Sequence, residues 1–326
     1  MALPTLLAVC ARGPVYVCAR PWAKDLLAGV PMAGFLPMTG KFATDRRTVA
    51  RHRAQLGGAA KGLLLPDSLS SAAVFRLAGV VSAGYRDDGR SLLLKWPFQK
   101  PTQPMHAVQS WYHLGALAQQ AWGDSAFPKD PPARLMLPIT PDHARAAQTV
   151  IEKYKLDTER LILIAPTATG LHKGRVKVWP HYEALASRLI NDGYRVVYCV
   201  PPAERDQAHA NAPSAQALEP LGLGAYAALT RRARLVVCND SGVSHLAAAA
   251  QACQLTLFGV TSAARTGPWS PDATCLGSDT TWPTLDAVVA TIQTMLASPP
   301  LVRSGESSVS TGVPACATLA VAPDLA

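Results

Sequence analysis

Hydrophobic positions along this chain follow two periods, and the switches between them mark its elements. Short apolar, β-branched runs bounded by turn residues predict buried strands at 15–18, 62–65, 161–165, 195–200, 235–238 and 255–258. Helical spacing predicts helices at 3–10, 23–30, 70–77, 106–122, 141–154, 224–233 and 285–296. Another opens at Pro180, a favoured first position, and is stopped by Gly193. In 106–122 the stripe Val108, Trp111, Leu114 and Leu117 is expected to face a core. Strands alternating with helices predict an α/β fold of doubly wound parallel sheets.

At 326 residues the chain suits two domains of about 150 each. The proline-rich stretch 128–141 reads as a linker, so the expected units are 1–155 and 156–298. The Ser-, Pro- and Ala-rich 299–326 reads as a disordered tail. The first 35 residues are unusual, because a Rossmann-like unit opens with its central strand and a Gly-containing loop. Neither precedes the helix at 3–10.

The stretch from 234 to 259 carries the most chemistry. A buried strand ends in Asn239-Asp240-Ser241-Gly242, an Ala-rich helix follows at once, and a second buried strand closes the unit. A helix beginning near Ser241 points unpaired N–H groups at the crevice where open α/β sheets bind ligands, and Gly242 admits a ligand to the backbone. Asp240 suits sugar hydroxyls, and His245 shares a helix face with Ser241. The plain alternative is that Asp240 or Ser241 only caps the helix and His245 is a core histidine. Asn239-Asp240-Ser241 also matches a glycosylation sequon, a false positive in a β–α turn.

Two further loops should reach the same sheet edge. One offers Thr167, Thr169 and, past an extended stretch, Lys177 before Trp179-Pro180; the other offers Glu204. Hydroxyls and a lysine suit phosphate oxygens, and a lysine beside a helix terminus would stabilise a departing diphosphate. Singly, each has an ordinary structural explanation; together they favour a nucleotide site.

Charge sharpens the picture. Residues 1–100 hold 14 Lys and Arg against 5 Asp and Glu, which accounts for the whole net charge of +9. Lys41, Arg46, Arg47, Arg51 and Arg53 form its densest part. A basic first unit implies an anionic partner, while sparse aromatics not interleaved with the cations argue against nucleic acid. No apolar run reaches the roughly 18 to 20 residues of a membrane span, and the apolar start lacks the basic residues of a signal peptide. Seven cysteines without a Cys-x-x-Cys pair suit buried thiols in a reducing cytoplasm and argue against a metal site.

Several segments together resemble the ADP-heptose:lipopolysaccharide heptosyltransferases of glycosyltransferase family 9, the second-heptose type more than the first. They are Lys177-Val-Trp179-Pro180, then Asn239-Asp240-Ser241-Gly242-Val-Ser-His245, and Leu-Phe258-Gly259-Val-Thr261 with Arg265-Thr266-Gly267-Pro268-Trp269. Leu65-Pro66-Asp67-Ser68-Leu-Ser-Ser71 resembles the family's acceptor-side loop. The resemblance implies a GT-B fold, two Rossmann-like domains facing across a cleft, the first for acceptor and the second for donor. It implies inverting, metal-independent transfer of heptose from ADP-heptose to the phosphorylated inner core of lipopolysaccharide, without a cofactor, at the inner face of the inner membrane. A non-catalytic nucleotide-sugar-binding remnant and a GT-B transferase using another nucleotide sugar are the alternatives.

Carried over by position, Lys177 neutralises the pyrophosphate and Asp240 binds heptose hydroxyls. Ser241, Gly242 and His245 complete the diphosphate pocket, Thr167, Thr169 and Glu204 join the donor side, and Asp67, Ser68 and Ser71 lie on the acceptor side. The family pattern also places a strand and a Gly-Asp loop, whose Asp is the expected general base, before the helix begun by Met1-Ala-Leu-Pro-Thr-Leu6. The native chain is therefore expected to start upstream. Asp67 is the one acceptor-side carboxylate to consider as a substitute base.

Overall fold

The computed structural model describes residues 1–56, 60–168, 170–172, 174–297 and 318–321. It divides into two compact units, one holding Met1–Pro132 with a C-terminal segment, the other beginning at Ala133.

In the first unit α1 (Leu3–Cys10) leads to β1 (Val15–Ala19), α2 (Ala23–Leu26), β2 (Gly34–Pro37) and α3 (Phe42–Gln55). Then come β3 (Lys61–Leu64), α4 (Leu69–Leu77), β4 (Val81–Tyr85), β5 (Trp96–Phe98) and α5 (Ala107–Ala121). The core between sheet and helices gathers Cys18, Leu36, Val49, Leu64, Ala72 and Phe75. On α5 the buried face runs through Val108, Tyr112, Leu114, Gly115 and Ala118, whereas Trp111 and Leu117 are half-buried. Val108 and Leu114 of the expected stripe are buried, while the places of Trp111 and Leu117 pass to Tyr112 and Ala118, because positions 108, 112 and 115 share one helix face.

The second unit opens with α6 (Pro141–Lys153) and continues through β6 (Leu161–Ala165), the hairpin strands β7 (Leu171–His172) and β8 (Arg175–Val176), α7 (Tyr182–Asn191) and β9 (Arg195–Tyr198). It proceeds through α8 (Arg205–Asn211), β10 (Gln216–Ala217), α9 (Leu223–Arg232), β11 (Leu235–Asn239), α10 (Gly242–Ala249) and β12 (Gln254–Phe258). It ends with α11 (Ala263–Thr266), β13 (Ala273–Gly277) and α12 (Leu285–Ala297). Its strands pair in parallel in the order β10-β9-β6-β11-β12-β13. In chain order that is 3-2-1-4-5-6, the dinucleotide-binding arrangement, whose direction reverses between β6 and β11. Ligands bind at that switch point, outside the carboxyl ends of the strands.

The units part between Pro132 and Ala133 rather than near 155. The buried face of α6, with His143, Ala147, Val150 and Ile151, packs on α9, and Leu137 N donates to Ala249 O at 2.8 Å. Segment 133–155 thus belongs to the second core.

β14 (Thr318–Val321) lies inside the sequence expected to be disordered, and it is a strand. The remainder of 299–326 lies outside the described residues. The first sheet reads β2-β1-β14-β3-β4-β5, with Val15 and Lys61 flanking Thr318 on its two sides in parallel register. β14 therefore occupies the central position, the one a doubly wound sheet gives to its first strand.

Candidate functional site

The site is assembled at the switch point of the second sheet. Asn239, the last residue of β11, is fully buried and binds three segments together. Its Nδ2 donates to Ala165 O at 3.1 Å and Thr167 O at 3.4 Å, and its Oδ1 accepts from Trp179 N at 2.9 Å. The buried Trp179 is anchored from its far side by Nε1 donating to Pro283 O at 2.8 Å. The loop after β6 and the stretch holding Lys177 are thereby fixed to the end of β11. Arg175 pins the hairpin before Lys177, donating to the carbonyls of Gly259, Asp279 and Thr280. Gly259 has to be glycine, since a Cβ there would collide with the Trp282 indole.

Thr167 and Glu204, expected in separate loops, come together: Thr167 Oγ1 donates to Glu204 Oε2 at 2.5 Å. Asn211 Nδ2 holds the same loop by donating to Pro166 O at 2.7 Å. Asp240 follows β11, and its Oδ2 accepts from Thr266 Oγ1 at 3.1 Å. Burial pushes the Asp240 carboxyl above its ordinary value. Hydrogen bonds from Thr261 and Thr266 and the positive charge of Lys177 and His172 hold part of that rise back. A carboxylate, a lysine and a histidine thus share one electrostatic neighbourhood.

Ser241 caps α10, its Oγ accepting from Val243 N at 3.3 Å, and Ser244 Oγ donates to Ser241 O at 2.8 Å. The cap is therefore real, and it leaves other first-turn N–H groups facing outward. Nothing lies within 4 Å of where a Cβ on Gly242 would stand, so the helix terminus is open to a ligand. His245 sits half-buried one turn along. Thr169 lies outside the described residues.

In the first unit, Asp67, considered from the sequence as a substitute base, is engaged by cations. It meets the fully buried Arg90 at 3.3 Å and Lys100 at 2.5 Å, and Lys100 also meets Asp87 at 2.5 Å. Both its oxygens are thus engaged by cations of its own unit. Ser68 caps α4, accepting from Ser71 N at 3.3 Å, while Ser71 Oγ donates to Ser68 O at 2.8 Å. Both serines line a cavity of about 130 Å³ with Arg20, Gly40 and Phe42. Among the described residues no group of three His, Cys, Asp or Glu is arranged to hold a metal ion.

The sequence profile described as "Glycosyltransferase family 9 (heptosyltransferase)" matches residues 49–293. The chain belongs to glycosyltransferase family 9. It is a heptosyltransferase-type glycosyltransferase with a GT-B fold. This family 9 chain is 30% identical over 288 residues to lipooligosaccharide heptosyltransferase 2 of Haemophilus influenzae, covering 80% of the chain and 78% of that protein. Its fold matches the Escherichia coli ADP-heptose lipopolysaccharide heptosyltransferase II with a TM-score of 0.69 at 22% identity, over 91% of the chain and 95% of that structure. A second E. coli heptosyltransferase, solved with ADP-2-deoxy-2-fluoro heptose, matches with a TM-score of 0.61 at 20% identity, over 90% and 95%.

Three contributors escaped the sequence reading. Asn239 was visible as a turn residue and a sequon, but its role depends on Ala165 and Trp179, more than fifty residues away. Arg175 precedes Lys177 by two positions and gave no periodic signal. Thr266 stood within the quoted Arg265-Thr266-Gly267 motif, and that motif was the available clue to its contact with Asp240.

Proposed function

We propose that this chain moves heptose from ADP-heptose to the phosphorylated inner core of lipopolysaccharide, with inversion and without a metal or other cofactor, at the cytoplasmic face of the inner membrane. The observation that carries this reading is the Asp240 carboxylate, held by Thr266 and within the electrostatic reach of Lys177, beside the open terminus of α10 at the sheet's switch point.

Each group has a chemical part. Lys177 and the N–H groups of α10 face the diphosphate, whose negative charge grows as the glycosidic bond breaks, so their attraction is stronger in the transition state than in the ground state. Asp240, held by Thr266, accepts hydrogen bonds from heptose hydroxyls and orients the ring. Glu204, braced by Thr167, offers its other carboxylate oxygen to the ribose. His245 stands behind Ser241 and Gly242 as a further donor to the diphosphate. Ser68 and Ser71 present hydroxyls to the acceptor.

The test is a donor panel with the purified chain, in which a heptose-deficient lipopolysaccharide acceptor is incubated with ADP-heptose, ADP-glucose or a UDP-sugar. The expected product is acceptor heavier by one heptosyl unit, formed from ADP-heptose alone. Lys177→Met should lower kcat by about 10²- to 10³-fold, the usual loss for one transition-state donor. Equal transfer from another nucleotide sugar, or ADP binding with no transfer from any, would overturn the reading.

A further inference from the structure

The hairpin before Lys177 carries a side chain that the donor chemistry above leaves unused. β7 and β8 pair antiparallel, with Leu171 opposite Val176 and His172 opposite Arg175. Gly174 turns the hairpin at a φ of +77°, the left-handed region that glycine enters without strain. Residues directly opposite each other in an antiparallel pair project from the same face of the ribbon, and the next residues along project from the other. His172 and Arg175 therefore share one face, and Val176 belongs to the opposite one.

Contacts fix where those faces look. Val176 is 58% exposed, so its face is turned to solvent. The Arg175 guanidinium donates to Gly259 O at 2.8 Å, Thr280 O at 3.0 Å and Asp279 O at 3.2 Å, which turns the face it shares with His172 toward the end of β12. Gly259 directly follows β12, and Asp240, at the end of the neighbouring β11, donates its N–H to Leu257 O at 3.2 Å. The face bearing His172 is thus turned to the strand ends that bear Asp240. Electrostatics agree, since His172 and Lys177 are the two basic side chains whose positive charge acts on the Asp240 carboxylate. His172 is half-buried, and neither of its ring nitrogens has a hydrogen-bond partner among the described residues.

We propose that His172 is a further donor-site residue, binding the nucleotide sugar's diphosphate at the phosphate nearer the sugar. Asp240 takes the sugar, so a side chain turned toward Asp240 meets that phosphate first. A diphosphate carries negative charge on both phosphates, and Lys177 answers one of them. With Asp240 ionised, Lys177 alone leaves this neighbourhood close to neutral apart from the partial charge of the α10 terminus. A protonated imidazole supplies the positive excess that an anion needs, and its N–H gives a directed hydrogen bond that strengthens as the diphosphate departs. The assignment rests on the reading of this sheet edge as the donor site and adds to it a residue from the hairpin.

Calorimetry of the full chain with ADP and with AMP, which lacks the outer phosphate, tests the assignment. His172→Ala should weaken ADP binding by about tenfold, the usual loss of a hydrogen bond to a charged group, and leave AMP binding little changed. His172→Lys, which keeps a cation, should recover most of the loss, and His172→Phe, which keeps the ring without the charge, should not. Equal losses for ADP and AMP, or a loss of ADP binding that comes with a lower Tm and is not recovered by His172→Lys, would mean a structural part and overturn the assignment. ADP binding weakened by Lys177→Met but untouched by His172→Ala would overturn it while leaving the donor site in place. A wild-type chain that binds no ADP would overturn both.

Discussion

Thr167 and Glu204, 37 residues apart, meet through a 2.5 Å hydrogen bond that joins the loop after β6 to the turn after β9. The bond occupies one carboxylate oxygen and leaves the other for a ligand. Glu204→Gln should raise the donor KM by about tenfold, since a hydrogen bond to a charged group contributes about 1.5–3 kcal/mol. It should change kcat and thermal stability little. Thr167→Val removes the brace and should produce a similar KM effect with a measurable loss of Tm.

Asp240 predicts a conflict between stability and function. Because burial raises its pKa, the folded chain holds this proton more tightly than the unfolded chain does. Stability therefore falls as pH rises from about 4, the ordinary carboxylate value, through the raised value. Asp240→Asn should abolish that slope in denaturant melts and leave the protein more stable at neutral pH. The same variant should lose about 10- to 100-fold in kcat/KM through weaker contacts with sugar hydroxyls.

Asn239 predicts a structural loss with no charge change. Asn239→Ala would strand Ala165 O, Thr167 O and Trp179 N in the interior, each orphan costing about 1–3 kcal/mol. Thermal melting should register a drop of several degrees or more. Donor affinity should fall with it, because Lys177 loses its fixed approach. Retention of wild-type Tm would mean that water replaces the amide.

Asp67 separates a structural from a chemical carboxylate. Paired with Arg90 and Lys100, it should tolerate Asp67→Asn with less than a tenfold change in kcat, whereas loss of a general base costs about 10²- to 10⁴-fold. The expected effect is on stability, about 1–3 kcal/mol, because the buried guanidinium keeps its bonds to Pro66 O and Tyr85 O but loses its counter-charge. Urea melts of the two proteins decide it.

The second unit was legible because its information is local. β11, the Ser241 cap and α10 adjoin in sequence, and turn chemistry and periodicity act over such distances. That Thr167, Glu204, Lys177 and Asp240 lie toward one edge was expected because their loops follow the carboxyl ends of strands in one sheet, and the contact of Thr167 with Glu204 fits that expectation. The staples that fix their geometry, Asn239 and Arg175, did not, because their partners are chosen by tertiary packing. α6 was read correctly as a helix and assigned to the wrong unit for the same reason: a helix's period does not say which core its apolar face meets. β14 was hidden by composition, since Thr318 to Val321 is a short apolar run in a Ser- and Pro-rich setting.

β14 also sets an order of manufacture. Synthesis proceeds from the amino terminus, so β1 through β5 leave the ribosome long before Thr318 exists. All six strands of the second sheet emerge in the interval. The part of the chain made first is thus the part completed last. Among the described residues β14 alone joins β1 to β3, so chains of this sequence halted short of residue 318 should yield a protease-resistant second unit joined to a first unit that is still digested.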